Sequence, residues 1–228
     1  KISGMLETTA LACERGGQRL FSDLGFALAA GGLLRVRGAN GSGKTSLLRI
    51  LAGLTQPAAG TVRWHGRTID EGYRGEMLFL GHAAAVKAEL TVIENLEFSA
   101  QLSGLKNTDC NEALQQLGIG RLADLPAAYL SQGQQKRAAL ARLALSTDVP
   151  LWLLDEPFAA LDEEAIARVG SLCAAHLAAG GLLVLTSHQD VPIAGGASRG
   201  SRGAPRCPGG GAWRRPSRTR CCATPRWR

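Results

Sequence analysis

Three short segments carry residue types whose spacing suits chemistry on a phosphate. The run Gly38-Ala39-Asn40-Gly41-Ser42-Gly43-Lys44-Thr45, followed by Ser46 and a helical pattern, fits G-x-x-x-x-G-K-S/T. Its glycines let the backbone curl so that successive N–H groups face one point, and the positive end of the following helix adds to their field. Such a cradle holds the β-phosphate of ATP, with Lys44 bridging the β- and γ-phosphates and Thr45 ligating Mg2+. A glycine turn that binds nothing has no need of both the lysine and the hydroxyl. The second segment, Leu151-Trp152-Leu153-Leu154-Asp155-Glu156-Pro157, sets two carboxylates where a buried strand emerges at the end of a sheet. Two adjacent charges there call for a cation. Asp155 can hold the magnesium through water, and Glu156 can take the proton of a water attacking the γ-phosphate in line. A solvated Asp-Glu turn is the plain alternative, and a phosphate loop upstream disfavours it. In the third segment, Leu130-Ser131-Gln132-Gly133-Gln134-Gln135, Ser131 and Gln134 fit a capping box that opens a helix, which by itself accounts for both.

The elements that must position these residues can be read from apolar periodicity. Leu33, Leu34 and Val36 make a short strand before the glycine loop, and Leu47, Leu48, Ile50, Leu51 and Leu54 fall at helical spacing after it. Met5–Ala12, Leu24–Leu28, Gly60–His65 and Met77–Leu80 read as further strands, so the amino half is mixed sheet. The pattern then becomes helical over Thr91–Leu102, Asp109–Leu117, with Asp109 and Glu112 as a capping pair, and Ser131–Leu145. Leu151–Leu154 and Leu182–Thr186 are continuous apolar runs suited to strands covered on both faces, with a helix over Asp162–Ala178 between them. The chain is thus α/β, with helices inserted in the sheet.

A chain of 228 residues that is 45% hydrophobic can bury one sizeable core, and two independent enzymes do not fit. No run of eighteen apolar residues is present, and Lys1–Leu11 carries Glu7 without an unbroken apolar stretch, so a soluble cytoplasmic chain is expected. The net charge of +7 is unevenly placed: nine arginines and no acidic residue lie after Asp190. The remaining 17 basic and 19 acidic residues leave the body at −2, which gives nucleic acid no basic surface there. The segment after residue 190 is rich in Gly, Arg, Pro, Ser, Ala, Cys and Trp without period. It reads as disordered, either an out-of-frame translation of GC-rich DNA or a basic arm for nucleic acid or anionic lipid. The six cysteines show no metal-type spacing and are expected as free thiols.

Taken together, Met5 to Asp190 resembles the ABC ATPase family, whose Leu-Ser-Gly-Gly-Gln signature is matched with Gln132 in place of the first glycine. The resemblance implies the P-loop NTPase fold of ABC ATPases: a RecA-like α/β core with an antiparallel β subdomain and an inserted α-helical subdomain. On this chain that assigns residues 1–190 to the ATPase domain, about 83–149 to the helical subdomain, and 191–228 to the tail. It further implies that Ser131, Gly133 and Gln134 grip the γ-phosphate of ATP held by a second copy, so that a homodimer sandwiches two nucleotides. Ala160-Leu161-Asp162 is similar to the loop that crosses this dimer, and His188 in Thr-Ser-His-Gln is similar to the switch histidine that touches the γ-phosphate. Two positions depart from the pattern. Phe79-Leu80-Gly81-His82 stands where most members carry a glutamine, so His82 can replace it as a neutral contact. Cys13-Glu14-Arg15-Gly16 stands where most carry an aromatic for adenine; Arg15 either stacks on the base or is simply exposed.

Within the family, Arg15–Phe21, Gly41–Leu54, Leu80-Gly81-His82, Lys87–Thr91, Glu94–Leu96, the Gln-Gln form of the signature and Leu185–Gln189 resemble the ATPase subunits of the haem exporter of cytochrome c maturation. Both departures belong to that subfamily's pattern. The resemblance implies a peripheral subunit at the cytoplasmic face of the bacterial inner membrane, with multispanning partners of the CcmB and CcmC type. There, hydrolysis releases the haem-loaded chaperone CcmE, and the ATPase itself never touches haem. The ATPase of another ABC importer or exporter would share every catalytic residue. A soluble ABC protein acting on DNA or ribosomes would usually carry two cassettes or long coiled-coil insertions, and neither is present.

Overall fold

The computed structural model describes residues 5–105, 108–188 and 193. The arginine-rich segment, read from sequence as disordered and either out of frame or a basic arm, lies outside the described residues apart from Ile193, which is buried in the core.

The chain opens with a hairpin of β1 (Met5–Arg15) and β2 (Gln18–Ala29), both longer than their apolar alternation suggests. Gly16 and Gly17 form the turn at φ 57° and 76°, so pairing runs up to Arg15 opposite Gln18. Register shifts between Thr8 and Glu14, with Ala10 at φ 49°, break the alternation that would have revealed the full strands. Next come β3 (Leu33–Val36), α1 (Lys44–Leu51), β4 (Ala59–Trp64), β5 (Arg67–Thr68) and β6 (Met77–Leu80). The inserted helices are α2 (Val92–Leu102), α3 (Cys110–Gln116), α4 (Gln132–Leu140) and α5 (Arg142–Leu145). The chain then returns to sheet as β7 (Leu151–Asp155), α6 (Glu163–Ala178) and β8 (Leu182–Thr186).

Two expectations are corrected here. The single helix expected over Ser131–Leu145 is divided at Ala141, whose N–H is shared between Arg137 O and Ala138 O while Ala144 N bonds back to Ala141 O. The ladder tightens from four-residue to three-residue spacing at that point, which ends α4 and starts α5. Asp109 does cap α3 by accepting from Glu112 N at 2.9 Å, but Glu112 does not reciprocate; its carboxylate accepts from Gln116 Nε2 at 3.2 Å. A reciprocal box that was not expected forms at α2, between Thr91 and Glu94.

Strands β2-β1-β4-β5 form an antiparallel sheet, and β3-β8-β7-β6 a parallel one. Every residue of β7 and β8 is buried, and their side chains divide by period two. Trp152, Leu154, Leu183 and Leu185 pack with α6 and the inserted helices, whereas Leu151, Leu153, Leu182 and Val184 pack with α1 and the antiparallel sheet. Each such side chain contributes about 1.5–3 kcal/mol over leaving it in water, so the two-sided burial fixes these strands as the centre of the molecule. Among the described residues no helix is long and apolar enough to cross a membrane. Cys13, Cys110 and Cys173 are free and buried; the other three cysteines lie outside the described residues.

One core contact makes stability depend on pH. His176 on α6 stacks on Trp152, ring centroids 3.9 Å apart and 5° from parallel, with Nε2 3.2 Å from Leu182 O. Burial pulls its pKa from 6.5 down to about 4, so the folded chain holds a neutral ring. Between those two values the unfolded chain binds a proton that the folded chain refuses. Stability is therefore full above pH 6.5 and falls toward pH 4, by about 3 kcal/mol from this group. Urea midpoints at pH 7.5 and 4.5 should diverge for the native chain and converge in His176→Phe; equal divergence in both would exclude the histidine as the cause.

Candidate active site

In the parallel sheet β3, β8 and β7 are neighbours, so the loops that leave their carboxyl ends are brought to one place. The loop after β3 leads into α1, whose N-cap is Gly43 at φ 93° with no side chain capping the first turn. A Cβ on Gly43 would lie 3.1 Å from Leu20 Cβ and 3.2 Å from Phe21 Cδ1. Both the left-handed backbone and the packing therefore select glycine. The N–H groups of the first helical turn are left for an external acceptor. Lys44 is buried and donates Nζ to Gly38 O at 2.9 Å and to Ala39 O at 3.1 Å, which ties the two ends of the loop together. Ser42 Oγ is buried without a hydrogen-bond partner among the described residues, a polar atom within the same loop.

Asp155 ends β7 at 2% exposure, and hydroxyls satisfy both of its oxygens: Thr45 donates to Oδ2 at 2.8 Å and Thr186 donates to Oδ1 at 2.7 Å. Glu156 comes next at φ 50°, a left-handed conformation costing a non-glycine residue about 1–3 kcal/mol unless its surroundings hold it. Its N–H donates to Thr186 Oγ1 at 2.8 Å. Its Oε1 is buried without a hydrogen bond, 3.3 Å from His188 Nε2, and that same ring nitrogen lies 3.2 Å from Lys44 Nζ. A single ring nitrogen cannot donate to Glu156 and accept from Lys44 at once, so His188 links the two in alternation.

Lys44, Thr45, Asp155, Glu156 and His188 thus meet at one end of the sheet. The Thr45 hydroxyl and the Asp155 carboxylate are hard oxygen donors, and among the described residues no group of three or more His, Cys, Asp or Glu is gathered to hold a metal. One carboxylate with one hydroxyl suits a small divalent cation that draws its other ligands from water and phosphate, not one needing a complete protein cage.

Among the described residues, the other expected ones are not in contact with this cluster and have partners of their own. Ser131 and Gln134 form the full capping box of α4, with Ser131 N bonded to Gln134 Oε1 at 2.9 Å and Gln134 N to Ser131 Oγ at 3.3 Å. Gly133 packs on the loop before α6: a Cβ there would lie 2.8 Å from Ala160 O. Arg137 approaches Asp162 at 3.5 Å, while Asp162 caps α6 by accepting from Ala165 N at 2.9 Å. His82 is exposed, and its carbonyl rather than its ring is used, accepting from Lys136 Nζ at 3.5 Å. Arg15 is exposed at the turn end of β1, opposite Gln18.

Sequence reasoning missed two residues here. Thr186 reads as an ordinary strand end, and only its place two residues before His188 hints at a role. Lys136 reads as one more solvated charge in Gln-Gln-Lys-Arg, yet it is 9% exposed. Burial pulls its pKa down, while Asp155 and then Glu156 push it up.

The ABC transporter family model matches residues 21–159. Three curated proteins, each named cytochrome c biogenesis ATP-binding export protein CcmA, match most of the chain. That of Nitrosospira multiformis is 49% identical over 197 residues, covering 84% of this chain and 95% of the relative. That of Aromatoleum aromaticum is 47% identical, covering 85% and 93%. That of Escherichia coli K12 is 44% identical, covering 84% and 92%. Among solved structures, a putative ABC transporter ATP-binding protein from Pyrococcus furiosus aligns with TM-score 0.71 at 25% identity, covering 82% of this chain and 92% of that one. A dimeric post-hydrolysis structure of the ATP-binding cassette MJ0796, bound to ADP and Pi, has the same fold (TM-score 0.71, 23% identity, covering 81% and 88%).

Proposed function

This chain belongs to the ABC transporter family and, within it, to the CcmA proteins of cytochrome c biogenesis, and we propose that it is the ATP-hydrolysing subunit of a haem exporter. The observation that carries the reading is the convergence of Lys44, Thr45, Asp155, Glu156 and His188 at the carboxyl ends of three adjacent strands.

Residues 38–46 wrap the phosphates of ATP, whose charge meets the uncapped start of α1 and the Lys44 ammonium. Thr45 and Asp155 would hold Mg2+, which when bound supplies positive charge to the phosphate oxygens. Glu156 holds a buried carboxylate oxygen free to accept the proton of an attacking water. His188 keeps that carboxylate and Lys44 in one network. Ser131, Gly133 and Gln134 stand at the exposed start of α4, where a second copy of the chain can meet them, and Asp162 with its loop packs behind that helix. Arg15 and His82 serve as contacts to the base and to the nucleotide's surroundings.

In this reading residues 1–190 form one ATPase domain, with the lobe of about 83–149 inserted in it. Two copies associate at the cytoplasmic face of the inner membrane with multispanning subunits of the CcmB and CcmC type. Hydrolysis there drives release of haem-loaded CcmE. No step asks this chain to touch haem or nucleic acid.

The test is expression of the chain with CcmB- and CcmC-type subunits in cells lacking their own ATPase. Co-purification with those subunits and restored covalent haem in cytochromes c are the expected results. ATP turnover without either would move the chain to another ABC transporter.

A further inference from the structure

Thr186 is the last residue of β8, fully buried, and its Cα is the parallel partner of Asp155. Its hydroxyl has one proton and gives it to Asp155 Oδ1 at 2.7 Å, since a carboxylate has none to offer in return. The lone pairs left on that oxygen face Glu156 N at 2.8 Å and accept its N–H. The polarity of the pair of bonds is therefore fixed, and one side chain sets both members of the acidic pair.

Glu156 stands at φ 50°, so its carboxylate points where it does only while its backbone is held in an uncommon conformation. The bond to Thr186 is what holds its N–H. Two residues further on, His188 reaches the same carboxylate from the side chain end. Strand β8 and the residues just after it thus support Glu156 at both its backbone and its carboxylate.

We propose that Thr186 is a positioning residue for hydrolysis, its hydroxyl locking the Glu156 backbone and the Asp155 carboxylate in register with the phosphate loop. The proposal rests on reading this site as an ATPase site. Thr186 itself does not touch ATP, so its loss is felt in turnover and not in nucleotide affinity.

Thr186→Val keeps the shape and removes the hydroxyl; Thr186→Ser keeps the hydroxyl. Thr186→Val should lower kcat by about 10- to 100-fold with ATP affinity, read with a fluorescent analogue, within about threefold. Thr186→Ser should stay within about threefold of the native chain in both. A merely structural threonine would give a serine variant as impaired as the valine variant, or a loss shared between kcat and affinity, and either result overturns the proposal. So does a valine variant with native kcat. Thr186→Ala carries the same expectation should valine prevent folding. A native chain that binds ATP but never hydrolyses it removes the ATPase reading itself, whereas native turnover undisturbed by Thr186→Val removes only the role given to Thr186.

Discussion

Glu156→Gln should bind ATP within about threefold of the native chain and hydrolyse it at least about a hundredfold more slowly, the usual loss when a general base is removed. The substitution is nearly isosteric. The Glu156 N–H that bonds to Thr186 belongs to the backbone and is unchanged, so the left-handed turn survives. What disappears is the carboxylate oxygen that is buried without a hydrogen bond beside His188. An amide there cannot accept a proton from water at neutral pH. Phosphate release measured beside equilibrium nucleotide binding separates the two quantities. Turnover within about threefold of native would place the base elsewhere in the chain.

Lys44→Ala should weaken ATP binding by about a hundredfold, on the order of 3 kcal/mol, and abolish turnover at ordinary ATP concentrations. Two losses combine. The ammonium is the buried cation of the loop, and its bonds to Gly38 O and Ala39 O hold the loop's ends together. Alanine removes the charge that meets the phosphates and also lets those carbonyls part. Calorimetric titration with ATP and magnesium reads the effect directly; affinity within about threefold of native would mean that the loop's N–H groups alone hold the nucleotide.

Much of the site is legible in the sequence because the local chemistry admits few alternatives. A strand, a glycine loop ending in Gly-Lys-Thr, and a helix have one economical use, and Asp155 at the end of an apolar run must find cations or donors. Both β7 and β8 are readable because they are buried on two faces and carry continuous apolar runs. What escapes the sequence depends on neighbours distant along the chain. Thr186 matters because the parallel register sets it beside Asp155, thirty-one residues earlier. Lys136 is buried because α4 packs toward the His82 carbonyl, a partner fifty-four residues away. The lengths of β1 and β2 are hidden by register shifts that disturb alternation, and the break at Ala141 leaves no proline or glycine to mark it. The role of Ser131 lies further out, because its partner in the proposed reaction belongs to another copy of the chain. In one chain it is fully explained as a helix cap.

That shared site is the central claim, and a structure of Glu156→Gln bound to ATP and magnesium examines it directly. The expected result is two chains facing head to tail, with Ser131 Oγ of each within about 3 Å of the terminal phosphate held at Lys44 of the other. A nucleotide enclosed by residues of a single chain, with Ser131 turned to solvent in both copies, would contradict it.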